Sequence, residues 1–334
     1  MTHTVKIGPH LVGPDQPIAF VAEFGINANG FTDVLKQMTD ESHRLGIPFV
    51  KIQTRINQKG ELTDAFSLEE LQKPRAGVPP EVLVNAHRRG VLPEADWERI
   101  TKSGFKDVRT WDQKRALEFT KDETREFVNY AKSLGMVGFS SPWSIGAVEV
   151  LEDVGVECYK VASPMATDRE LVTKMARTGK PIIFSTGMMD MDMVDRSVDH
   201  LLEHTSEDKI ILLHCTSVYT SPQAKPGDHG RSFLNLRCIE TYRKRFDPIV
   251  IGFSANDPGV EPMKIAAALG AAMIEKHVTP LRTMYGSDQA SSVEFRELEA
   301  PLRVLRELPQ VLGDGKKVFY DEERPVAEKL RRKS

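Results

Sequence analysis

The chain has 334 residues, 28% of them charged, a net charge of -3 and a pI near 6.3. That balance offers no chain-wide attraction to nucleic acid or anionic lipid. No apolar run approaches the roughly 20 residues a bilayer crossing needs, and the N-terminal MTHTVKIGPH lacks an apolar signal core, so a cytoplasmic protein with neither nucleic acid nor membrane as partner is expected.

Near the N-terminus, VKIGPHLVG places two short runs around a Gly-Pro turn, a hairpin suited to closing the bottom of the domain. PIAFVAEF then ends at Glu23, and the loop GINANG feeds a helix from about Thr32 to Leu45 with Thr32 as N-cap. FVKIQT, Phe49 to Thr54, is the second strand and carries Lys51. From about residue 55 to 110 the pattern weakens into charged and proline-containing stretches, which reads as a cover lacking clear elements of its own. A charged amphipathic helix from Lys121 to Leu134 ends at Gly135. Beyond it the alternation is regular: strands finish at Ser141, Ser163, Thr186, Ser217, Ser254 and Thr279, with helices starting near Ser144, Asp168, Asp190, Ser232, Pro258 and Ser292. The residues from Asp314 to Ser334 form a charged tail.

Eight strands separated by helices imply parallel pairing with right-handed crossovers, and eight such units suggest closure into a (β/α)8, or TIM, barrel. The expected organisation is an α/β barrel over residues 1–313, with the N-terminal hairpin, a long insertion after strand two and the tail at 314–334. A doubly wound open sheet is the competing architecture, but neither GxGxxG after the first strand nor GxxxxGK[ST] is present, and no nucleotide cofactor is expected. Cys158, Cys215 and Cys238 lack CxxC spacing and read as small packed hydrophobes.

In a barrel, chemistry gathers at the carboxyl ends of the strands. Lys51 and Lys160 at two such ends, among Ser141, Ser163, Ser185, Ser217 and Ser254, describe a pocket for a small, multiply charged anion. Each lysine could equally be one half of a structural ion pair, and a buried lysine could form a Schiff base with a carbonyl substrate. Glu275 and His277 share one face of the last strand by period-two alternation. His277 suits a divalent ion if another strand supplies a second ligand, whereas His200 and His204, four apart on an outer helix, lie away from the rim.

The series AEFGINANG, VKIQT, ALEFT, FSSP, YKVAS, GKPIIFSTGM, LLHCTSVY, IGFS, ALGAAMIEKHVT and GSD, in that order from about residue 18 to 312, resembles the sialic acid synthase family of phosphoenolpyruvate-dependent condensing enzymes. The resemblance implies a TIM-barrel transferase that joins phosphoenolpyruvate to a sugar-type aldehyde, giving a 2-keto-3-deoxy (ulosonic) acid and phosphate. It assigns Lys51, Ser141, Lys160, Ser163, Ser185, Ser217 and Ser254 to the phosphoenolpyruvate cradle. Glu23, Tyr219, Asn256 and Asp288 fall on the acceptor side, with Glu23, Lys51, Lys160 and Asp288 at the reacting centre. His277 resembles one of two manganese-ligating histidines; Asn256 stands where the second is usual, so a divalent metal (Mn or Mg) is expected to be held weakly or not needed. Ala28 replaces the histidine of INHNG, and Met165 an acidic residue, both on the sugar side.

Relatives continue into an antifreeze-like (SAF) domain that contributes an arginine across a homodimer, whereas this sequence stops at Ser334. The expected acceptor is therefore not plain N-acetylmannosamine but an unacylated sugar aldehyde, or one attached to a larger group such as a nucleoside. A homodimer is implied by the same resemblance. The alternatives are a non-catalytic barrel that binds a phosphorylated ligand, and a lysine aldolase.

Overall fold

The apolar runs become strands because each is buried on both faces, which rewards continuous rather than alternating hydrophobicity. In the computed structural model, which describes residues 4–62, 65–218 and 230–332, β1 (Val5–Ile7) and β2 (His10–Val12) form an antiparallel hairpin. The barrel strands are β3 (Ala19–Gly25), β4 (Phe49–Thr54), β5 (Val137–Pro142), β6 (Tyr159–Val161), β7 (Ile182–Ser185), β8 (Ile210–Cys215), β9 (Val250–Ala255) and β10 (Met273–Thr279). Every neighbouring pair is parallel, and β10 pairs with both β9 and β3, so the sheet closes. The short β11 (Val293–Glu294) pairs in parallel with the carboxyl end of β10. The architecture is a TIM barrel.

Period-two alternation sorts the strand residues into two cores. Inward-facing Val21, Phe49, Phe139, Ile183, Leu213 and Met273 pack with Val5, Ile7 and Val12 of the hairpin, which plugs the amino-terminal end of the barrel as expected. Outward-facing Phe20, Val50, Ile274 and Val278 pack beneath the helices. Burying each such large aliphatic or aromatic side chain contributes about 1.5–3 kcal/mol. Cys158 and Cys215 are buried and Cys238 half-buried, all three as free thiols.

Several boundaries differ from the sequence reading. The first helix runs Thr32–Arg44, but its N-cap is Phe31 and Thr32 is the first helical residue. Strand β6 ends at Val161, and Ser163 opens a short 3-10 turn. The helix expected near Ser232 starts at Cys238, the one near Pro258 at Glu261, and the one near Ser292 at Glu299, after β11 and a 3-10 turn.

The larger difference is the stretch expected to lack clear elements. It holds four helices, Leu68–Gln72, Pro80–Arg88, Glu94–Lys102 and Thr110–Leu117. The prolines that read as breakers are helix starts: Pro79 and Pro93 occupy N-caps and Pro80 the first helical position, where a missing N–H costs nothing. The last three share an apolar core of their own that includes Val82, Leu83, Ile100 and Leu117, while Leu71 of the first packs in a smaller cluster with Ile56 and Leu62. Ile26, beyond β3, and Tyr285, beyond β10, pack against that core, which seats the cover on the carboxyl-terminal mouth. Asn85 donates to the Gly30 carbonyl at 2.9 Å, and Arg89 to Glu123 at 2.8 Å and the Glu118 carbonyl at 2.7 Å, fastening cover to barrel. Within the cover, buried Asp112 receives Arg99 through both carboxylate oxygens.

Past Leu312 the described tail contains one short helix, Arg324–Leu330, with little burial. Among the described residues no helix is long and apolar enough to cross a membrane.

Candidate active site

The strand register brings the charged residues to one level. Glu23 sits opposite Lys51 on β4 and opposite His277 on β10, while Glu275 sits opposite Ser254 on β9. Opposed residues point to the same side of a sheet, here the interior. They line a cavity of about 210 Å³ at the carboxyl-terminal mouth, together with Lys160, Ser163, Ser185, Asn256 and Asp288.

Its floor is a buried lattice of alternating charge. Lys51 ion-pairs with Glu23, lies 4.0 Å from Glu275 and donates to the Ser141 hydroxyl at 3.1 Å. Lys160 donates to Ser185 at 2.6 Å and lies 3.3 Å from Glu275. Ser254 donates to the same Glu275 oxygen at 3.2 Å. Burial lowers the Lys160 pKa, and the Lys51 ammonium adds to that, against the pull of Glu275. Burial raises the Glu23 carboxyl despite Lys51. Burial would raise Glu275 too, but Lys160, Lys51 and His277 outweigh it and hold its pKa low. Glu275 is thus the fixed anion between two lysines, and Glu23 is the carboxyl best able to exchange a proton.

Beside this floor is a hollow too tight for a side chain. A β-carbon on Gly187 would collide with the hydroxyls of both Ser163 and Ser217, which therefore converge over that glycine. A hollow of hydroxyls and bare backbone receives a tetrahedral oxyanion well. On the opposite side, a β-carbon on Gly25, at φ +52°, would meet Glu23 Oε1 at 3.1 Å and Asp288 Oδ2 and Gln53 Nε2 at 3.3 Å each. Glu23, Gln53 and Asp288 therefore surround one point, and Ser287 donates to Asp288 at 2.9 Å.

All but one of the residues singled out from the sequence fall in the described structure. Glu23, Lys51, Lys160, Ser163, Ser185, Ser254, Asn256, His277 and Asp288 line the mouth; Ser141 reaches it through Lys51, and Ser217 through the Gly187 hollow. Tyr219 lies outside the described residues. Sequence reasoning missed Gln53, Arg55, Lys114 and Trp143, which also line the cavity, and gave Glu275 no role beyond sharing a face with His277. Alternation from Lys51 carries a signal for Gln53. Arg55 pairs with buried Glu118 at 3.4 Å, with its guanidinium 4.6 Å from the centre of the Trp143 ring. Lys114 comes from the last helix of the cover.

The donor set at the mouth does not fit a tightly held transition metal. His277 has an unpartnered buried Nδ1, but among the described residues it is the one imidazole lining the cavity. Asn256 commits its amide nitrogen to the Thr216 carbonyl at 3.1 Å, which leaves a neutral oxygen as its offering. Among the described residues, the one His/Cys/Asp/Glu trio with ligand atoms within 4.8 Å is His200, Glu203 and His204 on the outer helix Met191–Leu202 and its C-cap turn. There Arg169 donates to His200 Nδ1 at 3.0 Å, so a cation would displace that hydrogen bond and sit beside a guanidinium. His214, expected to end its strand, is followed by Cys215 in β8; it gives Nε2 to the Leu234 carbonyl at 2.7 Å and packs beneath a helix rather than in the mouth.

A family model described as NeuB family matches residues 85–317. The chain belongs to the NeuB family. As a NeuB-family protein it is similar to human N-acetylneuraminate-9-phosphate synthase, 31% identical over 96% of this chain and 78% of that protein. It is also similar to N,N'-diacetyllegionaminic acid synthase of Campylobacter jejuni, 26% identical over 92% of this chain and 81% of that protein. Among solved structures, the sialic acid synthetase of Leptospira borgpetersenii shares the fold, with a TM-score of 0.72, 24% identity and coverage of 100% and 99% of the two chains. This NeuB-family protein is an enzyme, a synthase of the sialic acid synthase type.

Proposed function

We propose that this enzyme condenses phosphoenolpyruvate with a sugar-type aldehyde to form an ulosonic acid and inorganic phosphate. The observation that carries the reading is the convergence of Lys51, Lys160 and a set of serine hydroxyls on one cavity at the carboxyl end of the barrel. Lys51 and Lys160, with Ser141, Ser185 and Ser254, take the carboxylate end of the enol phosphate, and Ser163 and Ser217 take its phosphate over Gly187. In the reaction, the methylene carbon of phosphoenolpyruvate attacks the aldehyde carbon, whose oxygen gains a proton. Water adds at C2 of the resulting cation, and phosphate leaves by cleavage of its bond to C2, giving the 2-keto acid.

Glu23 takes the proton from that water. Burial raises its pKa above an ordinary glutamate's, so its carboxylate is the stronger base, which suits a general base, a role that typically contributes ~10²- to 10⁴-fold in rate. Asp288 and Asn256 orient the aldehyde from the acceptor side. No step passes through a metal, and turnover is expected to survive a chelator. Ala28 is buried beneath the helices and Met165 packs against the same core, so neither offers the acceptor a polar contact; this favours an acceptor other than N-acetylmannosamine.

The test is release of inorganic phosphate from phosphoenolpyruvate with a panel of aldehydes, with a product whose mass is that of the aldehyde plus pyruvic acid. Phosphate appearing without a condensed product, or not at all, counts against the reading. The burial that lowers Lys160 would also favour an imine on that lysine; borohydride is expected to trap no adduct.

A further inference from the structure

A second cavity, of about 510 Å³, adjoins the first. The two share Ile26, Arg55, Lys114 and Ser287, while the remaining wall of the second comes from the cover. Four cations, Arg55, Lys73, Arg75 and Lys114, line it against two carboxylates, Glu69 and Glu70. Two of the cations are already engaged: Arg55 with Glu118 at 3.4 Å, and Lys73 with Glu69 at 3.8 Å. Among the described residues, Lys114 and Arg75 have no carboxylate within 4 Å. Lys114 is half-buried, its ammonium 4.8 Å from the centre of the Phe66 ring, and burial with Arg55 and Arg75 nearby lowers its pKa. Glu70 leaves the balance positive. A half-buried ammonium among like charges is destabilised until an anion joins it.

We propose that this annex binds an anionic group, phosphate or carboxylate, carried on the far end of the acceptor aldehyde. The inference rests on the condensing reading above and adds the class of acceptor. Phosphoenolpyruvate occupies the floor between Lys51 and Lys160; the acceptor reaches across Asp288 and Ser287, and its charged end lies under the cover. Lys114, at the junction of the two cavities, faces both anions.

The test compares an aldose, its 6-phosphate and its 6-uronate as acceptors, for the wild type and for a Lys73→Gln/Arg75→Gln variant whose changed residues touch only the annex. One or both anionic sugars are expected to show a KM lower by about tenfold or more, the scale of one charge-assisted contact. In the variant that advantage disappears through KM, while kcat, the KM of the neutral aldose and the Kd of phosphoenolpyruvate stay the same. Preference for the phosphate or for the uronate identifies the group. An equal or better neutral acceptor, or a preference that survives in the variant, overturns the proposal.

Calorimetric titration with the same sugars reads the annex without turnover. If anionic sugars bind the wild type but not the variant, and no phosphate is released with any aldehyde, the annex stands and the condensing reading falls. If the neutral aldose turns over and the anionic sugars bind no better, the annex alone falls.

Discussion

Lys160 and Glu275 are 3.3 Å apart with their side chains 3% and 7% exposed, an arrangement that would also be expected of a purely structural ion pair. Replacing Lys160 with Met removes the ammonium from Ser185 and leaves Glu275 with the Ser254 hydroxyl and a Lys51 nitrogen 4.0 Å away. Leaving one buried charge uncompensated costs about 3–5 kcal/mol, a fall in Tm on the order of 10 °C for a chain of this size. Adding Glu275→Gln removes the stranded charge, so the double variant is expected to recover most of that loss, with a coupling energy of up to about 3 kcal/mol. Phosphoenolpyruvate binding behaves differently. Losing the lysine removes charge-assisted contacts worth about 1.5–3 kcal/mol, or roughly 10- to 150-fold in Kd, and a glutamine at 275 does not replace them. Thermal melts and calorimetric titration of the single and double variants separate the two effects. If the double variant regains stability and ligand affinity together, Lys160 is only the partner of Glu275 and the cradle assignment fails.

Three further outcomes are expected. Gly187→Ala places a methyl against the hydroxyls of Ser163 and Ser217, and is expected to raise the Kd of phosphoenolpyruvate at least about tenfold with a near-wild-type melt; unchanged affinity would remove the phosphate from that hollow. The form of Lys160 that binds an anion is the ammonium, whose pKa is lowered by burial, so affinity is lost as pH rises through a value below the ordinary lysine range. On that alkaline limb log Kd climbs by about one per pH unit, and binding takes up a proton from buffer, which titrations in buffers of differing ionisation enthalpy detect. Arg99→Met strips buried Asp112 of its partner and loosens the cover; acceptor KM is expected to rise while phosphoenolpyruvate Kd holds, and equal damage to both would argue that the cover supports the floor instead.

The strands were legible because burial on two faces writes an uninterrupted apolar run, and the β4 run matches its sequence reading at both ends. Polar residues at the ends of those runs marked the mouth, since a charge elsewhere in a packed strand needs a buried partner, as Lys276 has in Asp257. Glu275 went unassigned because its role depends on a register partner, Ser254, 21 residues away, and on two lysines from other strands. Lys114 carries no local mark at all; a cation on an amphipathic helix looks solvated until the fold shows which end of the barrel that helix covers. The cover itself was misread because five- to nine-residue helices are too short for periodicity to speak over proline.

Three of the four cover helices share an apolar seam separate from the two cores of the barrel, and the chain enters and leaves the cover between one pair of adjacent strands, β4 and β5. On the proposed reading the barrel floor holds the enol phosphate, and the cover adds Lys114 to the wall the acceptor meets. Mutations in the lid are then expected to retune what is accepted without disturbing the enol phosphate below, and a transplant of that segment between cousins is expected to carry selectivity with it while leaving the reaction where it was.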